Sequence, residues 1–189
     1  KEFIPLDYGF DFYAPQAFKL HDNRTILIAW AYGFTHSNIL IEKRHGWCGC
    51  HTLARELKIK HGILYQFPVQ EIKKYYCNKV SLGKLILDNE EKLIPSLTGD
   101  HSHISFDIKT SKNSTAGIKF CCGKKEFTSL TINSNKSELV LDRSKSGFVI
   151  TGEEPDFKQR KIKINTHKNL PSIYLNYSKQ KAFTLNAFY

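Results

Sequence analysis

Methionine is absent from all 189 residues, position 1 included. A chain of ordinary composition carries several, so the expectation is either an internal or processed piece of a longer protein or a sequence from which modified methionines are missing. Long apolar runs are also missing. A membrane-spanning helix needs about 20 consecutive apolar residues, and no stretch approaches that. No secretory leader is visible, because Lys1-Glu2-Phe3 opens directly into polar, turn-rich sequence. No membrane partner is expected. Helical periodicity is scarce, with no apolar 3.6-residue pattern lasting beyond two turns. The five cysteines are Cys48, Cys50, Cys77, Cys121 and Cys122. An odd count in Cys-x-Cys and Cys-Cys spacings makes a poor disulfide framework, and it lacks the Cys-x2-Cys pairs of structural zinc. The reading is buried free thiols in a reducing compartment, with no metal and no cofactor.

Acidic residues are few: 18 against 28 Lys and Arg, for a net charge of +10. Such an excess can mark a nucleic-acid or anionic-membrane partner. Here the cations are spread along the whole chain. The densest groups are Lys58/Lys60, Lys73-Lys74, Lys124-Lys125 and Lys158/Arg160/Lys161/Lys163. Each alternates with apolar residues, as solvated strand faces do. No groove-reading motif accompanies them, and no nucleic-acid partner is expected.

What the chain does have is strand-forming material. It carries 13 Phe and 9 Tyr, and 41% of its residues are hydrophobic, enough for a packed core. Asp11–Ala14 leads through Pro15 to a turn at His21–Arg24, and Thr25–Trp30 is an apolar run of strand length. Residues 31–46 read as a loop. Residues 50–57 and 63–69 read as a hairpin broken at His61-Gly62. Glu71–Tyr76 reads as a short helix or connector. From there short alternating segments recur at about 10-residue spacing, the pattern of a β-sandwich. They are Ile104–Ile108, Ala116–Cys121, Phe127–Ile132, Glu138–Leu141, Lys161–Ile164, Ile173–Leu175 and Ala182–Ala187. The change of texture puts a boundary near residues 72–80, dividing the chain into 1–75 and 76–189.

Five blocks occur in fixed order. Leu6-Asp7-Tyr8-Gly9-Phe10-Asp11-Phe12-Tyr13-Ala14-Pro15-Gln16 is the most specific; Arg24-Thr25-Ile26-Leu27-Ile28-Ala29-Trp30 follows. Then come Gly46-Trp47-Cys48-Gly49-Cys50-His51-Thr52-Leu53-Ala54-Arg55-Glu56-Leu57 and Gln66-x-Pro68-Val69-x-Glu71. Leu139-Val140-Leu141-Asp142-Arg143-Ser144-Lys145-Ser146-Gly147 closes the series. Together they resemble glycoside hydrolase family 32, the invertase and sucrose-6-phosphate hydrolase family, over most of the chain. The resemblance implies an all-β fold: the end of a five-bladed β-propeller followed by a C-terminal β-sandwich. Three features depart from the family pattern. Ala31 stands where Met usually follows the tryptophan, Ala54 replaces the usual proline, and the Asn176 strand lacks its acidic neighbours.

The same resemblance implies hydrolysis of terminal β-fructofuranosides, sucrose or sucrose 6-phosphate, with retention. A retaining pair needs two carboxyl groups about 5–5.5 Å apart, one of them protonated. The family's Asn-Asp-Pro-Asn-Gly nucleophile motif, Arg-Asp-Pro motif and Glu-Cys acid/base motif are absent here. Asp7 and Asp11, read as one strand, would lie about 13 Å apart at ~3.3 Å per residue. Glu153-Glu154, beside Gly152 and Pro155, reads as an exposed turn. No catalytic residue is therefore assigned, and the chain alone is expected to be inactive. Asp11, Tyr13 and Phe34 are the residues that the resemblance assigns to substrate binding. Trp47 is expected to pack, Arg55-Glu56 to form an ion pair, and Asp142-Arg143-Ser144 to form a turn. His36, His45 and His51 carry no supporting motif. The implied partners are a fructose-containing sugar in the complete enzyme, the missing N-terminal propeller, and a second copy in a homodimer. The cytoplasm is the expected compartment and secretion the alternative. Asn-x-Ser/Thr triplets at Asn23, Asn113, Asn135 and Asn176 are too few to argue for the latter. The competing reading of the whole is a non-catalytic sugar-binding or subunit-interface module.

Overall fold

The computed structural model describes residues 5–31, 46–47, 49–98, 101–147, 158–164, 175–178 and 182–188. Regular structure among them is β apart from one 3₁₀ helix, as the β-branched and aromatic content dictates. The chain divides into two compact units, one around Gly9–Asn78 and one from Lys79 onward.

The first unit is a four-stranded antiparallel meander of β1 (Tyr13–Lys19), β2 (Thr25–Trp30), β3 (Arg55–Lys60) and β4 (Ile63–Pro68), in that order. This is the form of a propeller blade. The continuous apolar run of β2 buries Ile26, Leu27 and Ala29 and so covers both of its faces. Exposed β1 forms one edge and runs through Pro15, which an edge tolerates because its missing N–H costs no ladder bond there. A bulge lies between Tyr13 and Gln16, with Ala14 at φ +45°. The β1–β2 turn closes with the Leu20 N–H donating to the Arg24 carbonyl at 2.8 Å. Between β3 and β4, His61 at φ +52° and Gly62 at φ +75° make the two-residue turn expected there. Positive φ at both positions matches the twist of the flanking strands. Strand β3 begins at Arg55, later than residue 50. Ahead of it, among the described residues, His51 makes an isolated bridge to Trp30.

Arg24 ties this unit together. Its Nη2 and Nη1 donate to Glu71 Oε1 at 2.6 Å and Oε2 at 3.1 Å, and its Nε donates to Asp22 Oδ2 at 2.7 Å. The fork joins the β1–β2 turn to the 3₁₀ helix Gln70–Tyr75. Buried Glu56 is 3.9 Å from Arg24 Nη1 and 3.0 Å from Lys58 Nζ. The ion pair expected between Arg55 and Glu56 is therefore not made, because successive strand residues face opposite ways. Arg55 Nη1 instead donates to Gln66 Oε1 at 3.0 Å, and its guanidinium lies 4.6 Å from the Phe12 ring centroid.

The second unit contains β5 (Glu91–Ile94), β6 (His101–Ile104), β7 (Thr115–Cys122), β8 (Phe127–Asn133), β9 (Glu138–Lys145), β10 (Gln159–Lys163), β11 (Leu175–Ser178) and β12 (Ala182–Phe188). Six strands form one antiparallel sheet in the order β10-β9-β8-β7-β12-β5, and β11-β6 form a small second sheet. Ile118, Phe120, Cys121 and Leu130 form the core of the large sheet, and Leu97, Ile104 and Phe106 pack on it. Ile104 belongs to β6, so the small sheet contributes to a second layer, as the alternating pattern implied.

Several expectations shift. Strand β6 ends at Ile104, where a strand was expected to begin. Asp142-Arg143-Ser144 lies inside β9, not in a turn. The turn signal has a local cause. Asp142 Oδ1 accepts from the Ser144 N–H at 2.8 Å, and a bulge forms where Phe127 pairs Lys145 while Ser129 pairs Asp142. Buried thiols are found only in part: Cys121 is buried, Cys122 is half-buried, and Cys50 and Cys77 are exposed free thiols. Cys48 lies outside the described residues. Trp47 is 53% exposed and does not pack as expected.

Gly117 pairs with Thr131, and an added Cβ would stand 2.2 Å from the Leu130 carbonyl oxygen and 2.7 Å from Thr131 Cα. Backbone atoms cannot swing aside. Gly117→Ala should therefore destabilise the chain by about 1–3 kcal/mol, read from the urea midpoint. The Arg24 fork holds the Glu71 carboxyl down at about 2, from an ordinary 4.5. A depressed carboxyl stabilises the fold above its unfolded value and loses that contribution on protonation. The thermal midpoint of the wild type should exceed that of Glu71→Gln at pH 6, and the gap should close between about pH 4.5 and 2.

Candidate functional site

Two of the three residues singled out for sugar binding, Asp11 and Tyr13, lie at one end of the four-stranded sheet. Tyr13 opens β1 and Trp30 closes β2, and the two are register partners. Their rings meet edge to face, with centroids 6.2 Å apart and planes at 70°. Tyr13 is 48% exposed, with room to offer its hydroxyl and ring to a ligand. Asp11 lies two residues ahead of β1 and is half-buried. It sits in irregular backbone, not in the extended strand that would have carried Asp7 and Asp11 on one face. Phe12, between Asp11 and Tyr13, is half-buried beneath the Arg55 guanidinium. That contact anchors the segment from the other side of the chain. Phe34 lies outside the described residues, as do His36, His45 and the Glu153-Glu154 pair.

The segment around His51 falls in the block Gly46–Leu57, in which His51 itself was assigned no role. The Ala31 N–H donates to the Cys50 carbonyl at 2.7 Å, and the Thr52 N–H to the Ala29 carbonyl at 2.8 Å. The Ala29 N–H in turn donates to Thr52 Oγ1 at 3.1 Å. Three hydrogen bonds thus pin residues 50–52 against the end of β2. The outcome is a carboxylate, a phenol and an indole set at one sheet end, groups suited to accept from and donate to sugar hydroxyls and to cover an apolar sugar face. Only the block Gly46–Leu57 as a whole could have indicated this, because a lone histidine in a loop has no period to give it away. Among the described residues no group of three or more His, Cys, Asp or Glu is arranged to hold a metal ion.

Comparison with known proteins agrees with this architecture. The profile of the Glycosyl hydrolases family 32 N-terminal domain matches residues 1–68, and that of the Glycosyl hydrolases family 32 C terminal matches residues 71–189. The sucrose-6-phosphate hydrolase of Zymomonas mobilis subsp. mobilis is 34% identical over 152 residues, 79% of this chain and 29% of that protein. The sucrose-6-phosphate hydrolase of Streptococcus mutans is 27% identical over 191 residues, 97% of this chain and 37% of that protein. Among solved structures, sucrose-6-phosphate hydrolase from Lactobacillus gasseri superposes with a TM-score of 0.58 at 20% identity, covering 96% of this chain and 40% of that one. Exo-inulinase from Aspergillus awamori gives 0.55 at 16% identity, covering 96% and 43%. This chain thus spans well under half the length of these relatives. Its sheets are the last blade and the β-sandwich of their common fold, and the chain belongs to glycoside hydrolase family 32.

Proposed function

We propose that this chain is the C-terminal portion of a β-fructofuranosidase that hydrolyses terminal β-fructofuranosides, sucrose or sucrose 6-phosphate, with retention. The observation that carries the reading is the ordered match to both family domains along a chain without the family's three acidic motifs. Retaining hydrolysis needs a nucleophile and a protonated acid facing each other across the sugar. In this reading the upstream propeller supplies both, and Asp11, Tyr13 and Phe34 help line the fructose subsite from this side. Asp11 accepts from sugar hydroxyls, and Tyr13 donates to the sugar and covers its face. No helix among the described residues is long and apolar enough to cross a membrane. Cytoplasmic residence is part of the proposal, supported by the exposed free thiols Cys50 and Cys77.

The purified 189-residue chain should release no glucose from sucrose or sucrose 6-phosphate. Mixed with a separately expressed upstream propeller carrying the Asn-Asp-Pro-Asn-Gly motif, it should restore turnover. Asp11→Asn should then lower kcat/KM by about tenfold, the scale of one charge-assisted hydrogen bond. Turnover by the chain alone would defeat the claim of inactivity. Sugar binding that never becomes turnover after reassembly would instead favour a non-catalytic sugar-binding module.

A further inference from the structure

His51 stands out once the strands are laid side by side. It is exposed, yet the backbone on both sides of it is fixed to Ala29 and Ala31. Trp30 pairs with Tyr13 on one flank and with His51 on the other. Residues directly opposite in antiparallel strands project to the same face, with Cβ atoms about 5 Å apart. Tyr13, Trp30 and His51 therefore form one row across three neighbouring segments. Two strand spacings of about 4.8 Å put His51 roughly 10 Å from Tyr13 on that face. Among the described residues, no hydrogen bond or ion pair occupies its imidazole. An exposed side chain on a backbone held at a fixed place, on the row of the proposed sugar site, is positioned to meet a ligand. Packing does not account for it, because the side chain fills no core.

We propose that His51 is a specificity-determining residue for this site, contacting the leaving-group side of the substrate and favouring a phosphorylated sugar over a neutral one. The inference rests on the fructoside reading above. If Tyr13 meets the fructosyl unit, a group two strand spacings away reaches the second ring of a disaccharide. An imidazole is suited to an anion there: protonated, it donates from both nitrogens and adds charge, and even neutral it still donates from one. A neutral hydroxyl at the same place gains only an ordinary hydrogen bond, so phosphate gains more.

The test is NMR titration of the full 189-residue chain with sucrose, sucrose 6-phosphate and inorganic phosphate, following the Trp30 indole and His51 imidazole signals. Sucrose 6-phosphate should shift both signals and bind about tenfold more tightly than sucrose, and His51→Gln should erase that preference while the Trp30 response to sucrose persists. Equal affinity for the two sugars, with Trp30 still responding, would overturn the role of His51 and leave the fructoside reading standing. An equal response of His51 to inorganic phosphate alone would overturn it as well, marking a contact with any anion. No response at either residue to any sugar would remove the proposed sugar site and this inference together.

Discussion

The register at Trp30 is the constraint on which the first unit turns. Side chains alternate faces along a strand, so a slip of one residue would carry Tyr13 and His51 to the opposite side together. The ladders on both sides of β2 hold that register, and its residues Ile26, Leu27 and Ala29 are each 4% exposed at the centre of the sheet. The bulge in β1 then does a separate job. From Lys19 to Gln16 the strand tracks β2 one for one, and between Gln16 and Tyr13 it takes up one extra residue. That extra residue brings Tyr13, not its neighbour Ala14, opposite Trp30. Ala14 holds φ +45° to do so, a backbone state costing about 1–2 kcal/mol in a residue with a side chain. The strain lies at the sheet end that carries Asp11 and Tyr13.

The second unit is constrained differently, by the place of its last strand. β12 lies between β7 and β5 and pairs with both. Without it, β5 would have no partner in the six-stranded sheet and β7 would present a bare edge. The large sheet is thus completed by β12, through pairings that span 60 residues or more between β7 and β12. Long-range closure of this kind makes slow folding the expectation. The accommodations in β7 follow from the same crowding. Gly117 lets the strand approach β8 closely, and Cys121 at φ +60° absorbs the irregularity opposite Ala182–Thr184.

The parts legible in the sequence are those whose cause is local. Thr25–Trp30 is a strand because six residues in a row want burial, and His61-Gly62 is a turn because both accept positive φ. The motif blocks led to family and fold, which no period could have done. What was hidden needed distant partners to appear. The strand Glu91–Ile94 contains two charged residues in four and exists because β12 pairs with it. The span Asp142–Ser144 carries turn chemistry, and it stays in β9 because Ser129 and Gln159 flank it in register. Glu56 follows Arg55 in sequence, but the ladder turns it toward Arg24 and Lys58. His51 carries no motif of its own for the same reason, since what distinguishes it is a bridge to Trp30.

The carboxyl groups bear on the proposal that proton transfer is left to residues outside this chain. A retaining glycosidase needs one acid whose proton is held near working pH, which requires burial or a neighbouring negative charge without a competing cation. Here the shifts that partners impose run the other way. Arg24 draws down both Asp22 and Glu71, through hydrogen bonds to each. Lys163 does the same to Glu138. In Asp142 burial pushes upward, but the Ser144 and Gln159 hydrogen bonds prevail and the carboxyl still falls below its usual range. Each of these acids is favoured in its charged form by a donor, in the same turn or strand for Asp22 and Asp142 and across to another element for Glu71 and Glu138. Groups so committed hold elements together and have no proton to give near neutral pH. Asp22, Glu71, Glu138 and Asp142 thus serve the fold, each as a charged acceptor that holds its local structure in place.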